Sequence, residues 1–353
     1  FMTSAERMKQ KLGPALCLAK WQQTSLHLTT GHTNSCYHPP LHRINVDDLT
    51  NNPSALHNTE FKKTQRARML RGEKPEECSY CWRAEATANL SDRHYRSGEP
   101  WAAEHYEKIL AEDPLTWNVN PAYVEVNFSN VCNLRCSYCS PQFSSTWMTQ
   151  AEQQGAYPTE PPHNDAGYFV GNRKPIPIKE SNPFVDAFWR WWPELYPKLK
   201  HFRMTGGEPL LDKNTYKVFD YVLALPNPEL HLDVTSNFSV DEKSWQRYKG
   251  YVKMLCEGEK IEHFMQYISL DAWMDKAEYI RNGLDFKVMY KNIREYLKSG
   301  DRHSLTFIVT FNALSIPGWM DYVKNILKLR QEFNTTRQLV WFDVPMLIDR
   351  KST

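Results

Sequence analysis

Short apolar runs of strand length alternate with amphipathic stretches of helix length over the second part of the chain. Six runs rich in β-branched and aromatic residues predict strands at residues 123–129, 201–207, 230–237, 263–272, 305–312 and 339–347. Helical periodicity lies between them, at residues 214–226, 241–255 and 286–300. This alternation predicts an α/β fold with a parallel sheet, open or barrel-like. Six strands are too few for a full eight-stranded barrel, so we expect a partial one.

The first 95 residues carry a different pattern. They lack regular periodicity, are rich in His, Asn and Thr, and hold four of the eight cysteines. Small cysteine-dense segments commonly depend on a bound metal for stability. We therefore expect a small domain at 1–95, a helical connector at 96–120 and the barrel at 121–353. Either the barrel is partial, or the natural protein continues past Thr353.

A Pro-rich segment interrupts the barrel pattern at about residues 155–184. It is too long for a routine loop between a strand and a helix. Long loops at the carboxyl ends of parallel strands often shape a site, and the alternative is a surface decoration. The sequence leaves both interpretations open.

Composition and charge narrow the class of protein. Hydrophobic residues make up 41% of the 353 residues, which is enough for a sizeable core and argues against global disorder. The formal net charge is +2, so nothing favours bulk binding to nucleic acid or membrane. No apolar run approaches the roughly 20 residues of a spanning helix, and the N-terminal sequence lacks signal-peptide features. We expect a cytoplasmic protein with no nucleic-acid partner.

Three cysteines lie close together directly after the first predicted strand. Cys132, Cys136 and Cys139 have the spacing C-x3-C-x2-C. Thiolates bind soft metals and iron–sulfur clusters. Three ligands on a four-iron cluster leave one iron open for chemistry, whereas fully ligated sites are usually structural. A zinc site that takes a fourth ligand from elsewhere in the chain is the alternative.

Small and polar residues end the next three predicted strands. The second ends in TGGEP at 205–209, the third in TSN at 235–237 and the fourth in SLDA at 269–272. Two adjacent glycines let a ligand approach the backbone closely, and the carboxylate of Glu208 can hold a cationic amine. The carboxyl ends of parallel strands meet at one edge of a sheet, where ligand sites form. We expect a binding site at this edge.

At these motifs the chain resembles the radical S-adenosylmethionine (radical SAM) superfamily. CNLRCSYC at 132–139 is similar to its C-x3-C-x-aromatic-C motif, with Tyr138 in the aromatic place, and TGGEP is similar to its GGE motif. The resemblance covers about residues 121–350 and implies a partial (β/α)6 barrel with a [4Fe–4S] cluster on the three cysteines. It also implies reductive cleavage of SAM to a 5′-deoxyadenosyl radical, which abstracts hydrogen from a substrate.

The same resemblance implies which residues contact SAM. The methionine amine would be held by Gly206, Gly207 and Glu208. The ribose or the carboxylate would be contacted by Ser236, Asn237, Ser269 and Asp271. Arg281, in the segment YIRNG, would pair with the carboxylate or else form a surface salt bridge.

The second cysteine group lies within residues 1–95. It consists of Cys17, Cys36, Cys78 and Cys81, in the order C…G-x4-C…C-x2-C. Four thiolates can close a four-iron cluster or bind a zinc ion, and chemistry alone does not choose between the two. Nearby histidines are either alternative ligands or ordinary loop residues, namely His27, His32, His38 and His42.

This order of cysteines resembles the auxiliary-cluster fold called twitch, a short relative of the SPASM domain. The resemblance implies a second [4Fe–4S] cluster that relays an electron or is structural. In such relatives the module usually follows the barrel, whereas here it precedes the barrel. How the module docks is therefore open.

The last cysteine, Cys256, lies near the end of a predicted helix. It is either a hydrogen donor to a substrate radical or a small buried apolar residue. We expect a radical SAM enzyme that modifies a peptide or protein side chain or backbone position, with an electron donor such as flavodoxin or ferredoxin. The alternatives are a small-molecule radical dehydrogenase and a zinc-stabilised, non-catalytic binding module.

Overall fold

The computed structural model describes residues 2–160, 162, 174–299, 303–335 and 337–344. Within these residues the strands are β1 Gln23–His27, β2 His32–Asn34, β3 His42–Arg43, β4 Tyr123–Asn127, β5 Arg135–Cys136, β6 His201–Thr205, β7 Asn227–Ser236, β8 Ile261–Ser269, β9 Arg281–Asn282, β10 His303–Ile308 and β11 Val340–Asp343. The helices are α1 Ser4–Lys11, α2 Ala19–Gln22, α3 Val46–Asn51, α4 Glu60–Leu70, α5 Ser79–Ala86, α6 Asp92–Ser97, α7 Pro100–Ala103, α8 Tyr106–Ala111, α9 Ser145–Gln154, α10 Pro183–Leu195, α11 Lys213–Ala224, α12 Glu242–Cys256, α13 Asp275–Ile280, α14 Phe286–Leu297 and α15 Trp319–Phe333.

All six predicted strands are present, as β4, β6, β7, β8, β10 and β11. β7 pairs parallel with β8, β8 with β10, and β10 with β11. The expected α/β fold with a large, mostly parallel sheet is confirmed. Residues 161 and 163–173 of the predicted Pro-rich insertion lie outside the described part of the chain.

The chain divides into two compact units. The first comprises Phe1–Asn127 with Lys179–Phe202, and the second comprises Phe128–Ile178 with Arg203–Thr353. The first unit therefore includes β4 and α10 as well as the cysteine-rich segment. The predicted domain boundaries stay a prediction.

The first unit contains a strand that the sequence pattern did not suggest. β1 pairs parallel with β4, from Gln23 opposite Tyr123 to His27 opposite Asn127, and antiparallel with β2. Its sequence, QTSLH, is mostly polar, yet its first four residues are buried. The sheet is therefore extended in this unit by the segment that carries the four cysteines.

The second unit repeats one local design at its helix starts. An aspartate caps α11, α12 and α14 by accepting a hydrogen bond from a backbone N–H of the first turn, and these residues are Asp212, Asp241 and Asp285. Each helix follows a strand end and its loop. The caps thus fix where each loop stops, and the loops at the carboxyl ends of β6 and β7 are short.

No helix in the described part of the chain combines the length and the apolar character that crossing a bilayer requires.

Candidate functional site

The strand ends singled out in the sequence lie at one edge of the second unit. Thr205 ends β6, Ser236 ends β7 and Ser269 ends β8, and β7 and β8 run parallel. The segments that follow them, Gly206–Gly207–Glu208, Asn237 and Asp271, leave the sheet in the same direction.

Glu208 is the central acid of this edge. It is 1% exposed, and its carboxylate accepts hydrogen bonds from Ser236 Oγ at 2.7 Å, Asn237 N at 2.8 Å and Leu210 N at 3.1 Å. Burial raises the pKa of Glu208 to about 7, although these three bonds favour the charged form. Within the described residues no lysine or arginine pairs with this carboxylate. In the described part of the chain it is therefore a buried acid without a cation.

Gly207 presses its backbone against the three-cysteine loop. A Cβ atom at this position would lie 2.2 Å from Val131 O and 2.8 Å from Asn130 C, so only glycine fits. The N–H of Glu208 donates to Val131 O at 2.6 Å, and the N–H of Gly207 donates to Ser129 O at 3.3 Å. The neighbouring Gly206 has φ +117°, which also favours glycine.

Asn237 reaches the same loop from the end of β7. Its side-chain Nδ2 donates to Asn133 Oδ1 at 2.9 Å, and Asn133 Nδ2 donates to Ser239 O at 2.5 Å. Sequence reasoning did not find Asn133 or Ser239, because neither belongs to a recognisable motif. The loop is thus held by the ends of both β6 and β7.

The loop is also held by elements that follow it. Ser137 N donates to Ile280 O at 2.8 Å, and β5 pairs antiparallel with β9, so that Cys136 lies opposite Arg281. Trp147 Nε1, on α9, donates to Cys136 O at 2.9 Å. These bonds fix the backbone of the middle cysteine.

Arg281 and Asp271 form a buried ion pair beneath the loop. Arg281 Nε donates to Asp271 Oδ2 at 2.8 Å, and the two side chains are 5% and 0% exposed. Tyr138 OH donates to the same oxygen at 2.8 Å, and Thr310 N donates to Asp271 Oδ1 at 2.7 Å. The surface salt bridge weighed for Arg281 is wrong, because the pair is buried.

This pair gives the aromatic position of the motif a structural role. The guanidinium of Arg281 lies 5.5 Å from the centre of the Tyr138 ring and 3.7 Å from Cys136 Sγ. Burial opposes the charge, but Asp271 raises the pKa of Arg281 above its ordinary value. The arrangement places a fixed positive charge beside a thiol. The expected contacts of Asp271 and Arg281 with SAM stay predictions.

The three thiols of the loop share one environment. Burial raises the pKa of all three, that of Cys139 to about 12, and they lie within electrostatic reach of one another. Metal binding would displace their protons. The fit to a cluster with one open iron is good, because three thiols lie beside a buried acid that lacks a cation and a glycine edge that a Cβ would fill.

The four cysteines of the first unit line a single cavity. Its walls include Cys17, Cys36, Cys78 and Cys81. Burial raises the pKa of each thiol, to about 12 for Cys78 and about 11 for Cys81. Within the described ranges no three His, Cys, Asp or Glu side chains meet closely enough to hold a single metal ion. Four thiols around one cavity can hold an iron–sulfur cluster or a zinc ion.

Other polar side chains complete the wall of this cavity. Lys20, 2% exposed, forms an ion pair with Glu77, and its Nζ lies 3.9 Å from Cys78 Sγ. His38 contacts Asp92 at 2.6 Å and stacks on Tyr80. Lys20 was not predicted as a site residue, because it belongs to no recognisable motif.

Within the second unit, the structure does not bring Cys256 to the three-cysteine loop. Cys256 ends α12, and α12 precedes β8, so Cys256 lies at the amino end of β8. The loop of Cys132, Cys136 and Cys139 lies at the carboxyl ends of the strands, the opposite edge. A role as hydrogen donor therefore gains no support from the fold.

No protein-family model matches this chain, and no curated protein matches it. Among solved structures, the chain is similar to SuiB of Streptococcus suis bound to S-adenosylmethionine, with 15% identity and a TM-score of 0.40 over 84% of this chain and 54% of that chain. A second structure of Streptococcus suis SuiB gives 15% identity and a TM-score of 0.39 over 76% and 50%. Native anSMEcpe with bound AdoMet gives 16% identity and a TM-score of 0.35 over 62% and 50%.

The chain spans about half the length of these solved structures.

Proposed function

We propose that this chain is a radical SAM enzyme whose SAM cluster is held by Cys132, Cys136 and Cys139. The observation that carries the proposal is the union of the three-cysteine loop with the glycine–glutamate strand end, through Glu208 N–H to Val131 O at 2.6 Å. The GGE and CNLRCSYC motifs of the sequence support it. When bound and reduced, the cluster supplies the electron that cleaves SAM to methionine and a 5′-deoxyadenosyl radical.

The residues of this chain have defined tasks in that reaction. The ionised carboxylate of Glu208 would bind the ammonium of SAM, since this buried acid has no other cation. Ser236 and Asn237 N orient that carboxylate. The buried pair of Arg281 and Asp271, with Tyr138, holds the loop rigid and excludes water from its inner side.

We extend the proposal to a second [4Fe–4S] cluster on Cys17, Cys36, Cys78 and Cys81. Four thiols around one cavity support a closed cluster, which would relay an electron from an oxidised substrate radical. A zinc-stabilised module remains the competing proposal for this site.

For the substrate we propose a peptide or protein. An open groove with an empty volume of about 700 Å³ runs beside the three-cysteine loop in the second unit, with Trp147, Tyr157 and Tyr279 among its lining residues. Aromatic walls with polar groups between them suit an extended chain. A small alcohol is the alternative substrate. Release of 5′-deoxyadenosine above the substrate-free rate, with peptide pools against polyols, separates the two.

Anaerobic reconstitution tests the proposal. We expect about eight irons per chain, iron–sulfur absorbance and reductive cleavage of SAM. Cys136→Ala should abolish cleavage while leaving the iron of the N-terminal group, and Cys256→Ala is the matched cysteine control that should keep both. A protein that binds zinc and does not cleave SAM would contradict the proposal.

A further inference from the structure

Two cations are buried in the first unit without a carboxylate partner. They are Lys62 and Arg66, one turn apart on α4, and both are 0% exposed. Among the residues that the structure describes, no Asp or Glu bonds to either side chain. A buried charge is costly unless an opposite charge lies near it. Something else must balance these two.

Lys62 is surrounded by neutral acceptors. Its Nζ donates to Thr24 Oγ1 at 2.9 Å, Thr33 Oγ1 at 2.7 Å and Asn34 O at 3.0 Å. His57 Nδ1 lies 3.3 Å away, and burial lowers the pKa of His57 well below its ordinary value, so this ring is neutral. The hydrogen bonds of Lys62 are satisfied here, and the one acid within electrostatic reach among the described residues, Glu77, is already paired with Lys20.

Arg66 also bonds to neutral acceptors. Its Nη1 donates to Asn58 Oδ1 at 2.9 Å and its Nε donates to Lys20 O at 3.2 Å. Burial and Arg66 itself lower the pKa of Lys62. Two like charges on neighbouring turns repel each other, which makes an uncompensated pair less stable still.

Both side chains bond to residues that lead to the wall of the four-cysteine cavity. Met69, next on the same face of α4, lines that cavity. Asn34, which accepts from Lys62, lies two residues before Cys36, and Cys36 is within electrostatic reach of Lys62. Lys20, whose carbonyl accepts from Arg66, lies 3.9 Å from Cys78 Sγ at its Nζ. Lys62 and Arg66 are thus linked to the cysteine segments through Asn34 and Lys20.

The other buried cations of this region are already balanced. Lys20 pairs with Glu77, and Arg93 pairs with Glu85 at 2.7 Å. Lys62 and Arg66 are fully buried and have no such ion pair among the described residues. A four-iron cluster with four thiolates is an anion, and its negative charge grows when it takes up an electron.

We infer that Lys62 and Arg66 are the counter-charges of the N-terminal cluster and raise its reduction potential, so that it accepts an electron readily. The inference rests on the proposed [4Fe–4S] group at Cys17, Cys36, Cys78 and Cys81. Net charge and solvent exposure set the potential of such clusters. Buried charges act on it strongly because water and salt do not screen them.

The test uses the full chain carrying Cys132→Ala, Cys136→Ala and Cys139→Ala, so that only the N-terminal cluster assembles. The potential of that cluster is measured by a redox titration followed by electron paramagnetic resonance. Lys62→Met should lower the ratio of reduced to oxidised cluster at a fixed potential by at least about tenfold, which corresponds to about 59 mV for one electron. Lys63→Met removes the same charge from the partly exposed next position of α4 and should shift the ratio far less.

Each result of this experiment either supports or overturns the inference. An unchanged potential with full iron content overturns the inference and leaves the proposed cluster intact. Zinc in place of iron in the parent protein overturns the cluster and the inference with it. Loss of the cluster in Lys62→Met with recovery in Lys62→Arg supports the inference, whereas loss in both shows that packing, not charge, matters and overturns it.

Discussion

The backbone N–H of Glu208 donates to the carbonyl of Val131 at 2.6 Å. This bond joins the backbone at the end of β6 to the backbone of the loop that carries Cys132, Cys136 and Cys139. The motion of the carboxylate proposed to bind SAM is therefore coupled to that of the thiols proposed to bind the cluster. Changes at the strand end should be felt at the loop.

Gly207→Ala should damage both the fold and SAM binding. The added Cβ would lie 2.2 Å from Val131 O, and backbone cannot yield as a flexible side chain would. We expect a loss of about 2–3 kcal/mol in the free energy of unfolding, measured by denaturant titration. Gly250→Ala is the matched control, since nothing lies within 4 Å of its Cβ and it is inside α12. That control should gain roughly 0.5–1 kcal/mol.

SAM affinity should fall as the pH drops below about 7. The pKa of Glu208 is raised to about 7 by burial, so the carboxylate is protonated below this pH and no longer balances an ammonium. Affinity should fall by about tenfold per pH unit there. Equilibrium binding of SAM to the reconstituted chain measures this. An unchanged pH profile in Glu208→Gln would assign the effect to another group.

The same carboxylate should make the ligand-free protein less stable as pH rises. Its folded pKa, about 7, lies above its ordinary value of 4.5, so the folded state holds the proton more tightly than the unfolded state. Its stabilising contribution is complete below about pH 4.5 and is lost as pH rises through about 7. Thermal unfolding across this window should show a slope that Glu208→Gln reduces.

Asp271→Ala should be strongly destabilising. It leaves the guanidinium of Arg281 buried without its acid, which typically costs about 3–5 kcal/mol. Arg294 and Glu332 form an exposed pair with Nη2 to Oε1 at 2.6 Å, and Glu332→Ala should cost under about 1 kcal/mol. Equal losses in the two variants, measured by chemical unfolding, would contradict the role given to the buried pair.

Cys78→Ala should separate the two cysteine groups. The iron content should fall by about half, while reductive SAM cleavage without substrate continues, because the three-cysteine loop is intact. Turnover of the true substrate should be impaired if the N-terminal cluster relays an electron. If turnover is retained although the iron content is halved, the N-terminal cluster has a structural role and does not relay an electron.

The sequence predicted the strands of the second unit well because their residues are locally consistent with strand structure. β-branched and aromatic runs such as the one in β8 favour strands wherever they occur, and their order along the chain implies a parallel sheet. The cysteine loop and the strand end of Glu208 were found because their spacing is itself the chemical requirement.

Long-range pairings were beyond the sequence. Nothing near β1 indicates that its polar residues lie opposite β4, about a hundred positions later, because only the partner strand makes them buried. The sequence of α4, EFKKTQRARML, is typical of a cationic helix exposed to solvent. In the structure, however, Lys62 and Arg66 are buried. The pairing of Arg281 with Asp271 was missed for the same reason, since tertiary contacts decide it.

The pairing of β5 with β9 has a consequence for how the protein is made. Cys136 lies opposite Arg281, a residue added 145 positions later, and Ser137 bonds to Ile280. While the ribosome is still building the middle of the chain, the loop lacks the strand that holds it. If the loop binds the proposed cluster, iron delivery to it should therefore follow the synthesis of Arg281.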